Sequence, residues 1–232
     1  NNATLAVAGD FKVEEAKKWI EEYFGPIPKG EAIERPPFTP PPQKEPKTET
    51  ISLPTTPIPA TIHAWRGPKM TADDAPAVEL LADILATGRS SRLYEKLVRK
   101  GDLAADVDVF PYLLENGGVV GIFVAGNPGA DLQKLDEAVN EEIAAVRENG
   151  VTPEELQKAK NQRLARLASA YGSAHSRAED LAQFHLFYGN AAEINRQFEK
   201  IRDVTPEQVR AVAQKYLTPE GRNLLHYPVS QK

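Results

Sequence analysis

The chain has 232 residues and a formal net charge of −5; 41% of its residues are apolar and 26% charged, an ordinary globular balance with enough length for a core of its own. It contains no cysteine, which excludes a disulfide scaffold, a thiol nucleophile, an iron–sulfur site and a cysteine-based zinc finger. No stretch approaches the roughly 18 consecutive apolar residues of a membrane span, and the acidic balance argues against a dedicated nucleic-acid binder.

The first apolar run, Ala3 to Ala8, is bounded by Asn2 and Gly9-Asp10 and predicts a buried strand. Val13 to Phe24 predicts an amphipathic helix, with Ala16, Trp19, Ile20 and Tyr23 on one stripe and Gly25 as its stop. One strand and one helix cannot bury a core alone, so this opening belongs to something larger. Residues 26–59 are rich in proline, including Pro36-Pro37 and Pro40-Pro41-Pro42. Proline fixes φ and removes a backbone donor, so the stretch reads as an extended linker, with the next domain's first strand beginning near Thr48.

A complete domain, residues 60–232, follows. Ala60 to Trp65 alternates as a strand. Val78, Leu81, Ala82 and Leu85 define a helical face ended by Gly88, and Ser90 is placed to cap a second helix reaching about Lys100. Leu103 to Phe110 predicts a half-buried strand with Ala105, Val107 and Val109 inward and Asp106 and Asp108 outward. The Asn116-Gly117-Gly118 turn leads into a strand over Val119 to Ala125, so the two form an antiparallel hairpin. Leu132, Leu135, Val139, Ile143 and Val146 recur at helical spacing. Thr152-Pro-Glu-Glu and Thr205-Pro-Glu-Gln each combine a threonine N-cap, proline at the first helical position and a capping-box partner. A last strand covers Arg222 to Tyr227. The fold class is α+β, an antiparallel sheet with helices on one face. The openings Asn2-Ala-Thr-Leu and Arg222-Asn-Leu-Leu echo one another, as if residues near the start closed an earlier copy of the same domain.

The chemistry-bearing residues do not assemble into a catalytic pattern. None of His63, His175, His185 and His226 lies in His-x-x-Glu-His or its inverse. His175 and Glu179 share a helical face, but two ligands are not a site. His185 falls on the Leu181–Phe184–Tyr188 stripe and reads as a core histidine, and His63 and His226 read as structural strand residues. Gly88-Arg-Ser-Ser is a helix start and not a nucleophile elbow. Asp106 and Asp108 could do acid–base work in a pocket that raised one of them; a solvated strand face is the commoner outcome of that spacing. No catalytic or metal-ligating residue is assigned.

Several segments, in order, resemble the insulinase, pitrilysin and mitochondrial-processing-peptidase family of zinc metallopeptidases, peptidase family M16. They are Asn1-Asn-Ala-Thr-Leu-Ala-Val-Ala-Gly-Asp-Phe with the helix to Gly25, then Gly88-Arg-Ser-Ser-Arg-Leu-Tyr-Glu-Lys-Leu with Leu103-Ala. Gly150-Val-Thr-Pro-Glu-Glu-Leu-Gln-Lys-Ala-Lys-Asn and Val204-Thr-Pro-Glu-Gln-Val with Lys215-Tyr-Leu complete the set. The resemblance implies an M16-like (LuxS/MPP-like) domain. Residues 1–25 would be the strand–helix tail of a preceding catalytic domain, 26–59 the linker and 60–232 the C-terminal inactive domain. Zinc and its His-x-x-Glu-His ligands would lie upstream of Asn1, leaving no cofactor in this chain and no peptidase activity from it alone. Some second domains of the family supply a substrate-binding arginine and tyrosine seven residues apart. Aligned on Leu97 and Leu103-Ala104, those positions are Val98 and Ala105, with Arg99 one step off and Tyr94 on the wrong side. The implied role is a substrate-enclosing wall for a peptide or unfolded polypeptide, with the upstream domain and a second subunit of the family (homo- or heterodimer) as partners. The alternative is a non-enzymatic partner or scaffold subunit. A start at Asn1 instead of Met reads as a fragment or a processed chain, so the periplasm and cytoplasm of a bacterium both stay open.

Overall fold

The computed structural model describes residues 3–34 and 41–230. In chain order its elements are α1 (Val13–Phe24), β1 (Lys47–Thr50), β2 (Ala60–Gly67), α2 (Ala75–Ala86), a π-helical turn (Tyr94–Lys100), β3 (Ala104–Leu114) and β4 (Gly117–Gly126). Then come α3 (Leu132–Asn149), α4 (Pro153–Ala170), α5 (Ala174–Tyr188), a 3-10 turn (Ala191–Arg196), α6 (Gln197–Arg202), α7 (Pro206–Tyr216) and β5 (Asn223–Tyr227). They divide between two compact units, one of residues 1–39 with 165–197 and a larger one of 40–164 with 198–232.

The larger unit is the α+β layer that the hydrophobic patterning predicts. Its five strands run in the order β1-β5-β2-β4-β3. All neighbours are antiparallel except β1 and β5, which pair in parallel from Lys47 opposite Asn223 to Thr50 opposite His226. A parallel pair needs a long connection, and almost the whole domain separates these two strands. Helices α2, α3 and α7 pack on one face. There the alternating side chains Thr61, His63 and Trp65 of β2 meet Val120, Ile122 and Val124 of β4, Val107 and Val109 of β3, and Leu224 of β5, all buried. Leu80, Leu85, Leu135 and Val139 close that core from the helices without solvent exposure. Burying such a side chain contributes about 1.5–3 kcal/mol, so this layer is the main source of the unit's stability.

The helix starts follow the expected chemistry. Thr152 Oγ1 accepts the Glu155 N–H at 3.2 Å while the Glu155 carboxylate accepts the Thr152 N–H at 2.8 Å, and Thr205 and Gln208 reproduce the box at the head of α7. Three local expectations need correction. Ser90 does not cap a helix: its hydroxyl accepts from Lys158 Nζ, and Ser91 donates to the Gly88 carbonyl at 2.7 Å. A bulge between Ala104 and Asp106 turns Ala105 outward, so Ala104 takes the buried place. The strand also continues past Phe110 to Leu114 through Pro111, because β3 lies at the sheet edge, where a missing N–H is tolerated.

In the smaller unit, α1 forms where its stripe predicts, with no buried residue. Residues 3–8 make no strand pairing among the described residues. Thr4, Ala6 and Ala8 are half-buried and Leu5 and Val7 exposed, the alternation of a strand without a partner. Helix α5 begins at Ser173, whose hydroxyl accepts the Ser176 N–H, and packs Phe184 against Tyr188 with ring centres 4.8 Å apart.

Candidate functional site

His63 has no solvent exposure and lies beneath the first turns of α3. Its Nε2 is 3.4 Å from Thr61 Oγ1, and its Nδ1 has no hydrogen-bond partner. Burial, then the charges of Arg222 and His226, push its pKa down to about 3, so it is neutral at physiological pH. Asp136 Oδ1 lies 3.7 Å from Nδ1, but that carboxylate is already held by Arg222 at 2.5 Å and by the Asn140 amide at 2.7 Å. Arg222 also reaches Asn140 Oδ1 at 2.6 Å, so the group ties β5 to α3. No three histidine, aspartate or glutamate side chains among the described residues come together as a metal site. The described residues therefore do not fit a zinc ion, and no chemistry is routed through one.

The other expected positions are dispersed. His175 is 90% exposed and 4.0 Å from Glu179, a solvated helix pair. His185 is exposed, contrary to the core placement its spacing suggests. Helix α5 buries only Phe184, and His185 lies at the margin of its packed stripe, beside Leu181 and Ala182 and facing residues 3–7 across a groove of about 540 Å³. Asp106 and Asp108 are exposed on β3. Val98 is half-buried and Ala105 exposed, while Arg99 is engaged by Glu95 at 2.6 Å.

The residues with the strongest electrostatics hold the scaffold together. Arg92 donates to both oxygens of Glu155 at 2.7 Å, to Glu142 at 3.3 Å and to the Gly150 carbonyl at 3.2 Å. The bond from Arg92 holds the Glu155 carboxyl below its ordinary range, and the same pair holds Arg92 charged. Gly150 turns the chain out of α3 at φ 74°, a conformation open to glycine. Arg163 joins α4 to Asp83 at 2.6 Å and Glu79 at 2.9 Å on α2. Lys215 and Tyr216 of α7 reach Asp74 at 2.7 and 2.9 Å. Burial alone would raise the Asp74 carboxyl, but those two bonds outweigh it and lower it.

The face of the sheet opposite the helices has a different character. Across β3, β4 and β2 its rows are Asp108, Phe123 and Ile62, then Phe110, Gly121 and Ala64, then Tyr112, Val119 and Arg66. Tyr112 is 64% exposed, Leu114 48%, Val119 40% and Phe110 38%. The Phe110 ring lies over Gly121 so closely that a Cβ there would fall 2.2 Å from it. Glycine at this position lets the aromatic ring lie flat on the sheet. Sequence reasoning missed this strip because it ended the strand at Phe110; the alternation of Phe110, Tyr112 and Leu114 was its signal.

The Peptidase M16 inactive domain family matches residues 1–163. The chain belongs to that family. Two curated relatives are longer than this chain. "Uncharacterized zinc protease YmxG" of Bacillus subtilis is 24% identical over 227 residues, covering 95% of this chain and 52% of that protein. A Mycobacterium leprae relative, "Uncharacterized zinc protease ML0855", is 28% identical over 61% of this chain and 32% of its own length. The chain thus spans about half the length, or less, of these curated relatives. Among solved structures, a protease from Helicobacter pylori superposes with a TM-score of 0.88 at 20% identity, covering 95% of this chain and 53% of that one. A peptidase M16 inactive domain from Pseudomonas fluorescens does so at 0.81 and 21%, covering 97% and 53%. At these identities the likeness speaks for the fold.

Proposed function

We propose that this chain is the C-terminal, substrate-enclosing and non-catalytic domain of a zinc-dependent metalloendopeptidase acting on peptides or unfolded polypeptides. The observation that carries this reading is membership of the inactive-domain family, together with the name zinc protease borne by relatives about twice as long. In this reading residues 1–25 close a preceding catalytic domain, residues 26–59 are a proline-stiffened linker that sets the hinge, and residues 60–232 form the enclosing wall. Zinc, activated water and the general base belong to the preceding domain, and a second subunit of the family, identical or not, completes the enclosure. The open apolar face of the sheet supports the wall assignment, since extended chains dock on such faces and edges.

The test compares this chain with a form extended upstream by about 200 residues, one further domain's worth. Metal analysis and peptide cleavage are measured on both. The expected result is about one zinc and chelator-sensitive cleavage in the longer form only. Cleavage by the shorter chain, or a longer form without zinc, overturns the proposal; the second outcome moves the protein to the class of non-enzymatic partner subunits.

A further inference from the structure

We infer that Asn116 is a self-modifying site: in the folded chain it converts to aspartate and isoaspartate through a cyclic imide, while the fold protects the chain's other Asn-Gly pair, Asn149-Gly150. The site is independent of the peptidase reading and needs neither zinc nor a partner.

The reactive unit is the dipeptide itself. The backbone nitrogen that follows an asparagine can attack the asparagine's own side-chain amide carbon, an intramolecular step of high effective molarity. The nitrogen gives up its proton to solvent, the new N–Cγ bond forms, and the side-chain nitrogen takes up a proton and leaves as ammonia. Water then opens the imide at either carbonyl. Opening at the backbone nitrogen–Cγ bond gives aspartate; opening at the other carbonyl gives isoaspartate, in which the main chain runs through the former side chain. The sum is asparagine plus water giving a carboxylate residue plus ammonia, with no redox step. Glycine as the second residue has no Cβ to obstruct the ring. The backbone must still leave its regular conformation, and the attacking N–H must leave any hydrogen bond it makes.

The sequence contains Asn-Gly twice, and the structure treats the two pairs differently. Asn149 is the last residue of α3. The Gly150 N–H donates to the Val146 carbonyl at 2.9 Å, and the Gly150 carbonyl accepts from Arg92 at 3.2 Å. Gly150 is buried, and a Cβ there would lie 3.5 Å from Arg210. Ring closure at Asn149 therefore requires a buried hydrogen bond to break and the last turn of α3 to unwind. Asn116 lies in the two-residue loop Glu115-Asn116 at the tip of the β3–β4 hairpin. It is exposed, and its side chain makes no hydrogen bond among the described residues. A Cβ on Gly117 would meet nothing within 4 Å, so the imide has room. Only the last pair of the ladder, Leu114 with Gly117, has to open, and terminal pairs open at small cost.

The turn also keeps the reactive pair in place. Neither Glu115 nor Asn116 has a positive φ, so the loop is not one of the primed turns that match strand twist, and Gly117 takes φ 152° instead. Any other residue at 117 is strained, and asparagine is a favoured turn residue before it. Conversion adds a negative charge at the hairpin tip, and isoaspartate also adds a backbone atom to the loop. Both changes fall beside Leu114, whose carbonyl accepts the Met70 N–H at 3.0 Å, and at a distance from the buried Val109 and Ile122.

The test incubates the whole chain in mildly alkaline buffer, folded and in concentrated guanidinium. Samples are digested at mildly acidic pH and mapped by mass spectrometry. Each event adds about 1 Da, and electron-transfer fragmentation separates isoaspartate from aspartate. In the folded chain Asn116 is expected to convert about tenfold or more faster than Asn149, the rate equivalent of about 1.4 kcal/mol and the order of one hydrogen bond. In guanidinium the two rates are expected to converge. Asn116→Gln, whose longer side chain closes its ring far more slowly, is expected to remove the fast mass gain and leave the slow one at Asn149. Equal rates in the folded chain, or conversion led by Asn149, overturn the inference. So does an Asn116 that stays intact in the folded chain after the denatured sample has converted. A tenfold difference that persists in guanidinium also overturns it, because the selectivity would then lie in the sequence and not in the fold.

Discussion

Acidification from pH 7 to pH 5 is expected to cost the larger unit about 2 kcal/mol through His63 alone. In the unfolded chain the imidazole titrates near its ordinary value of about 6.5. In the folded chain, burial and the positive charge of Arg222 hold it down to about 3. Between those values the unfolded state binds a proton that the folded state refuses, so stability falls as pH drops. The loss begins near pH 6.5, runs at up to about 1.4 kcal/mol per pH unit and is complete near pH 3; at pH 5 it has reached about 2 kcal/mol. The side chain has no solvent exposure, so water does not screen the effect. The window is clean as well. Asp74 and Glu155, whose folded pKa values are lowered, stabilise the fold above their ordinary carboxylate range and lose that contribution only as pH falls below it. Urea unfolding at pH 7, 6 and 5, extrapolated to water, measures the slope. His63→Leu keeps an apolar side chain of similar size in a site whose Nδ1 has no partner, and removes the titration. The variant is expected to lose most of the wild-type dependence between pH 7 and 5. If it retains the wild-type slope, the burial argument is wrong and the proton uptake lies elsewhere.

Three further substitutions probe the scaffold and the strip. Arg92→Ala leaves Glu155, Glu142 and the Gly150 carbonyl without their shared donor and is expected to cost about 2–3 kcal/mol in denaturant unfolding, below a fully buried pair because these side chains keep some solvent contact; Arg92→Lys, lacking the planar fork, should recover only part of it. Thr152→Ala removes one arm of the capping box at α4 and is expected to cost about 1 kcal/mol. Gly121→Ala drives a methyl into the Phe110 ring and is expected to cost about 1 kcal/mol, with the Phe110→Ala double variant showing a smaller cost than the sum; additive losses would show that the ring does not lie on the glycine.

Most of the larger unit was legible because its elements advertise themselves locally. The two threonine–proline starts carry their own capping chemistry, and helices α2, α3 and α7 carry long apolar stripes. What escaped depends on partners distant in sequence. Residues 3–8 have a strand's composition and alternation, but a strand exists only with a neighbour, and no described residue provides one. β1 is the converse: Lys47–Thr50 is fully exposed and has no hydrophobic signal beyond a hint of a start near Thr48, yet it pairs because β5 offers an edge. The one-residue bulge at Ala105 and the π-helical turn before β3 shift side chains by a single position, finer than periodicity can place. His63 was legible as structural, but its burial beneath Asp136 and Arg222 was not, because those residues come from α3 and the approach to β5.

Three of the four segments that carry the family resemblance supply bonds that join elements of the larger unit. Gly88-Arg-Ser-Ser-Arg supplies Arg92, and Gly150-Val-Thr-Pro-Glu-Glu supplies Glu155; the fold brings the two together in a bidentate ion pair that also completes a helix cap. Lys215-Tyr216, from the closing segment, seals α7 onto Asp74 at the head of α2. Each forms an ion pair or hydrogen bond between elements distant in sequence, so the recognisable order of these motifs is an order of structural joints. Side chains committed to such bonds are poorly placed to act on a substrate, because withdrawing them leaves charges desolvated and unpaired. Functional variation in a domain built this way falls on surfaces that the scaffold does not use. On the larger unit the outward strip of β3 is such a surface: its exposed side chains can change with little cost to the core, while the backbone edge beneath them stays fixed by pairing with β4.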